Sequence, residues 1–169
     1  MARRPFLLTA VALIACWACD WDAVRDESPL TFAIREGYFV DPPPPPPHIA
    51  LLVATETQYP CMNYWLESEL DVVDNILRVS VSDRVRKPEI CLTAIGPAQY
   101  KVALPVTVGT YTLEFTRHGL TDRYSVTVTQ GAIEITTQEA HFTRPLAESF
   151  PRVTKSPPTI SPNSIRTSS

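Results

Sequence analysis

Between His48 and about Thr143, apolar and polar residues alternate in short runs, and turn residues break the runs every 8–12 positions. Strict alternation puts successive side chains on opposite faces of an extended chain, so this stretch predicts β-strands. Ile49 to Ala54 is a continuous apolar strand candidate. Cys61 to Glu69 alternates, with Met62, Tyr64 and Leu66 on one side and Asn63, Trp65 and Glu67 on the other. Leu77, Val79 and Val81 alternate with Arg78, Ser80 and Ser82, and shorter strands are expected at Ile90–Ile95 and Tyr100–Leu104. The clearest pattern runs from Gly109 to Thr129: Tyr111, Leu113 and Phe115 face one way, as do Tyr124, Val126 and Val128. Arg117–Leu120 reads as the hairpin loop between them, with Gly119 free to adopt positive φ. Gln130-Gly131 is a second turn, leading to Ile133 and Ile135. No stretch sustains a 3.6-residue period, although Val72–Leu77 is compatible with one helical turn. The expectation is an all-β domain of seven or eight strands over residues 48–143.

The segment Leu104-Pro-Val-Thr-Val-Gly-Thr-Tyr-Thr-Leu113 resembles the late strands of immunoglobulin-like and fibronectin-type domains. That resemblance implies an antiparallel β-sandwich with Tyr111 as a tyrosine corner, its hydroxyl bonded to backbone upstream. Trp65 is the tryptophan available for a structural place beside the first cysteine. It follows Cys61 by only four residues, and Tyr111 lies well after Cys91, so the resemblance is one of architecture and transfers no binding site.

The flanks read differently. Arg3 and Arg4 precede an apolar run, Phe6 to Ile14, that ends in Leu13-Ile14-Ala15-Cys16. A basic start, a short apolar stretch and a small residue before the cut describe a secretory leader. The run falls short of the ~20 apolar residues that a spanning helix needs. Leu-Ile-Ala-Cys resembles the lipobox of bacterial lipoproteins, which implies cleavage after residue 15 and acylation of Cys16. The alternative is an ordinary leader cut near Ala18, which releases a secreted protein. Residues 16–47 read as a tether, with Leu30–Val40 either a strand or an apolar patch. Pro42 to Pro47 lack amide donors and predict a stiff polyproline spacer rather than a ligand for a proline-recognition domain. Residues 144–169 lose the alternation and gain Pro, Ser and Thr, and predict a tail disordered from about Arg152.

The chain has 15 basic and 18 acidic residues; without Arg3 and Arg4, 13 basic residues remain against the same 18 acids, a net charge of −5. This balance argues against nucleic acid as a partner. Membrane attachment is therefore expected through acyl chains on Cys16. Of the four cysteines, Cys61 and Cys91 lie in the predicted domain and, in an exported chain, are most simply a disulfide. Cys16-Trp-Ala-Cys19 is formally a CxxC, but it straddles the leader junction and so lacks the folded setting that redox or metal chemistry needs.

Candidate chemistry is sparse. His48, His118 and His141 stand in no metal-ligand spacing and read as solvated. Glu67, Glu69, Asp71 and Asp74 form an acidic run open to three readings: a solvated loop, a calcium site without the usual loop spacing, or the carboxylates of a hydrolase. Arg84, Arg86 and Lys87 form a basic knot. It suits an acidic partner or a phosphate, or it guards strand edges against pairing. No Gly-x-Ser-x-Gly elbow or glycine-rich phosphate loop occurs. The resulting expectation is a lipid-anchored, non-catalytic interaction or structural module of the cell envelope, with no cofactor and a protein or glycan partner. The alternatives are a secreted inhibitor or ligand-binding protein using loop 83–89 or 117–121, and a hydrolase using Glu67, Glu69 and Asp71.

Overall fold

The computed structural model describes residues 23–37 and 47–153. They are all-β, and no helix occurs among them. The strands are β1 (Ala23–Arg25), β2 (Leu30–Gly37), β3 (His48–Tyr59), β4 (Trp65–Val73), β5 (Ile76–Arg86), β6 (Gly96–Ala103), β7 (Gly109–Arg117), β8 (Leu120–Val128), β9 (Ala132–Glu139), β10 (Thr143–Pro145) and β11 (Ser149–Pro151). They form one sheet in the order β10-β2-β3-β6-β4-β5-β7-β8-β9-β11, with β1 added beside β5. The sheet is mixed: β10 runs parallel to β2 and β5 parallel to β7, while β2–β3, β4–β5, β7–β8 and β8–β9 are antiparallel.

The sheet curls on itself. Phe32 of β2 lies 4.9 Å from Phe115 of β7 and 4.8 Å from Tyr124 of β8, ring centre to ring centre. Those strands are far apart in the ladder, so their inner faces meet only because the sheet bends round. Irregular pairing in β3 between Ala54 and Gln58, and in β4 between Leu66 and Ser68, supplies local bends of the kind that bulges produce. The inward rows Leu77/Val79/Val81, Leu113/Phe115 and Tyr124/Val126/Val128 are buried, as alternation predicts.

Four expectations need correction. The sheet has eleven strands and parallel pairs, not seven or eight antiparallel ones. The extra strands are the three-residue β1, β10 and β11, too short to show a period, and β2, which lies in the stretch read as tether. The polyproline run does not lie between an anchor and the domain. Gly37 and His48 are paired in one ladder, so the strands that flank this run are neighbours in the sheet; residues 38–46 lie outside the described residues. The domain does not stop at residue 143, because Thr143–Pro145 and Ser149–Pro151 join the sheet and Phe142 and Phe150 are buried; residues 154–169 lie outside the described residues. Finally, Ile90–Ile95 is a loop, not a strand. Val72–Leu77 is a tight hairpin, with Asp74 at φ 53°.

The register gives the molecule two ends. Ala23 lies opposite Arg86, which also faces Trp65, and Tyr59 faces Gly96. At this end the chain enters the sheet and the loop after β5 departs. At the other end lie the β4–β5 turn, the Gly37–His48 gap and the turn between Val128 and Ala132.

Candidate functional site

β5 stops at Arg86, and Lys87-Pro88 leads away from it; proline has no amide to continue a ladder. The following loop is laid back over the start of β4. Cys91 is disulfide-bonded to Cys61, with Cα atoms 5.2 Å apart. Asn63 clamps the loop from both sides, its amide donating to the Ile90 carbonyl (2.7 Å) and its carbonyl accepting from Leu92 N–H (3.1 Å). Met62 N–H and Ala94 N–H both donate to the Leu92 carbonyl, at 3.3 and 2.7 Å. Gly96 lets the chains approach closely here, since a Cβ at that position would lie 3.0 Å from Met62 Cβ.

With this backbone satisfied internally, the side chains point outward. Ile90 is 78% exposed, Ile95 77%, and Leu92, Met62 and Trp65 about half. Trp65 was expected to be structural; instead, Tyr64 just before β4 and Leu66 within it are buried, and the alternation turns Trp65 to the surface. Trp65, Arg86, Lys87, Pro88 and Glu89 line a surface cleft of about 410 Å³. Two residues of the basic knot line it, the exposed Lys87 and Arg86, which is paired with Glu67; the exposed Arg84 lies beside Ala23–Arg25 instead. Contiguous exposed apolar surface rimmed by polar groups is characteristic of interaction sites.

The acidic run does not converge. Glu67, Glu69 and Asp71 occupy alternate positions of β4, so their Cα atoms are spaced roughly 6–7 Å apart along one outer face. Glu67 is spoken for by Arg86, Glu69 lies across from Ser80 and Asp71 across from Arg78, while Asp74 sits in the turn at the far end. Tyr111 accepts a hydrogen bond from Thr107 N–H (3.0 Å) and donates to the Thr107 carbonyl (3.3 Å). His48 starts β3, and His141 lies 3.0 Å from Glu139. Cys16 and Cys19 lie outside the described residues.

A buried polar cluster was not foreseen. Asp122 is fully buried and accepts from the backbone N–H groups of His141 (2.7 Å), Phe142 (3.0 Å) and Thr143 (2.6 Å), and from the Thr143 hydroxyl (2.6 Å). Tyr124 donates to the Thr143 carbonyl at 2.7 Å. Asp26 accepts from the Tyr59 hydroxyl and from Ser28 N–H. Burial pushes the Asp26 carboxyl up, but these bonds outweigh it and hold the group below its usual range, while burial and Asp26 together push the Tyr59 phenol up. Arg117 donates to the carbonyls of Ser28 (2.9 Å) and Glu27 (3.2 Å) and lies over the Phe142 ring. Its signal in the sequence was position: Arg117 continues the inward row Leu113/Phe115, and Asp122 begins the row Tyr124/Val126/Val128. A charge on an inward row must be bonded.

Among the described residues, one group has ligand atoms close enough to share a metal: Glu27, Asp83 and His118, within 4.8 Å of one another. Asp83 is already ion-paired with Arg25 at 2.9 Å, which neutralises part of the charge that a cation would need. No protein-family profile, curated protein or solved structure matches the chain.

Proposed function

We propose that the chain is a lipid-anchored, non-catalytic interaction module of the bacterial cell envelope, tethered through an acylated Cys16. Its contact surface is the disulfide-held loop with Trp65. The observation that carries this reading is the outward display of Met62, Trp65, Ile90, Leu92 and Ile95 on a segment fixed by a covalent bond and an asparagine clamp. Exposing large apolar groups costs solubility, and fixing them in place lowers the entropy lost on binding. The Tyr111–Thr107 bonds support a kinship of layout between this curled sheet and the immunoglobulin-like sandwiches. The hydrolase alternative draws no support from Glu67, Glu69 and Asp71, which are strung along a strand.

The test is the intact mass of the mature chain from a bacterial host, made with its own leader and kept unreduced. The expected mass begins at Cys16, carries a diacylglyceryl adduct and is two hydrogens short for Cys61–Cys91. An unacylated mass beginning near Cys19 or Asp20 would sink the anchor and bring the secreted ligand-binding reading forward.

A further inference from the structure

We propose that the disulfide loop is a membrane-contact surface, its occupant an anionic lipid bilayer. The proposal rests on the reading of Cys16 as the acylated residue and names the partner of the surface described above.

Chain geometry makes the first argument. β1 pairs antiparallel with the end of β5, with Ala23 opposite Arg86. Going upstream in β1 is therefore going in the direction in which β5 runs out into the loop. Seven residues separate Cys16 from Ala23, and a fully extended chain gains at most about 3.6 Å per residue. Cys16 is therefore confined to within about 25 Å of Ala23, the strand neighbour of Arg86 at the loop's root. The bilayer that holds the anchor lies within reach of this end of the molecule, and Ile90, Leu92 and Ile95 are on it.

Side-chain chemistry makes the second. Ile90, Leu92, Ile95 and Met62 offer apolar groups for the acyl boundary, and Trp65 is an aromatic of the kind that favours the headgroup level. Arg86 and Lys87 line the cleft beside Trp65 and Arg84 lies next along β5; Glu67, Glu89 and Asp83, the last paired with Arg25, are the acids among them. The chain as a whole is acidic, so this cationic border is local and orients the module. The loop's backbone bonds are the third argument. The amides of Met62, Leu92 and Ala94 and the carbonyls of Ile90 and Leu92 have partners within the protein, so shallow insertion strands none of these groups.

The experiment uses the full mature chain with Trp17→Phe and Trp21→Phe, leaving Trp65 as its one tryptophan. It is reconstituted on phosphatidylglycerol vesicles containing brominated lipid, and its acylation is checked by mass. Acylated protein should pellet with the vesicles and show about a two-fold fall in Trp65 emission, as expected for a ring at the headgroup level. Ile90→Ser with Ile95→Ser should restore most of that emission while the protein still pellets. Both positions are more than three-quarters exposed, so the fold is kept, which circular dichroism checks. Acylated, pelleting protein whose Trp65 is not quenched overturns the membrane contact and leaves the anchor standing; the loop would then face a protein or glycan. Unacylated protein overturns the anchor and the proposal with it.

Discussion

Two segments close this molecule, and they do it in opposite ways. The stretch from Phe142 to Val153 turns its two aromatic rings inward: Phe142 and Phe150 are buried, while Leu146 and Val153 stay at the surface. It is held by non-covalent polar anchors at both ends. Asp122 receives its first turn, and Glu36 takes Arg152 through two bonds (2.6 and 3.1 Å) and Val153 N–H through a third (2.9 Å). The loop from Glu89 to Ile95 turns its apolar groups outward and is held covalently. A segment that buries its own side chains contributes to its own fixation. One that spends them on the outside cannot, and a disulfide compensates through the unfolded state.

This contrast makes ranked predictions. Asp122→Ala should be the most destabilising change, by about 4 kcal/mol or more, because it removes the acceptor of four donors in a fully buried place. Chemical denaturation measures it, and a loss under about 1 kcal/mol would mean that the C-terminal strands are not held from this residue. Phe150→Ala should follow at roughly 3–4 kcal/mol, as a buried aromatic removed from the core. Replacing Cys61 and Cys91 by serine opens a link across 30 residues and should cost about 3 kcal/mol, with the strand content kept in circular dichroism.

Glu36 sharpens the comparison through pH. The Arg152 bonds hold its carboxyl below the ordinary range, against a smaller opposing push from burial. Its folded value lies under its unfolded one, so its contribution is complete above the ordinary carboxylate range and is lost as pH falls through the lowered value. Asp26 has the same sign. Melting temperature should drop on acidification, and Glu36→Gln should flatten that drop and cost about 1–2 kcal/mol at neutral pH. At the bottom of the scale, Ile95→Ser should change stability by less than about 0.5 kcal/mol. A large loss there would make the loop a piece of the core and end the contrast.

The inner rows of β5, β7 and β8 were legible in the sequence because alternation with long strands is a strong signal. β2 was half legible: Leu30–Val40 had the pattern, but the prolines after it argued for a tether. Its partner β3 resolves this, since the pairing from Leu30–Thr55 to Gly37–His48 puts the stretch before the prolines inside the sheet. Ile90–Ile95 misled because a run of apolar residues looks the same whether it faces a core or an outside surface; only the Asn63 clamp and the disulfide decide it. Trp65 stands on the polar side of the alternation, with Asn63 and Glu67, and its place at the surface agrees with that side. The buried cluster of Asp26, Tyr59, Arg117 and Asp122 joins residues distant in sequence: the inward rows mark Arg117 and Asp122 as charges that need partners, and no local pattern names those partners.

The two ends of the sheet also set how the molecule carries a load. The chain comes in beside Arg86, at one end of β5, and leaves at Pro151, opposite Ala132, level with the other end. A pull applied to the chain before Ala23 and beyond Val153 therefore runs along the strands. The β1–β5 and β9–β11 ladders are antiparallel, so they meet that tension in shear, with their hydrogen bonds loaded side by side rather than opened one after another. Under such a pull the ion pair of Glu36 with Arg152 would be the last polar contact to resist at the outgoing end.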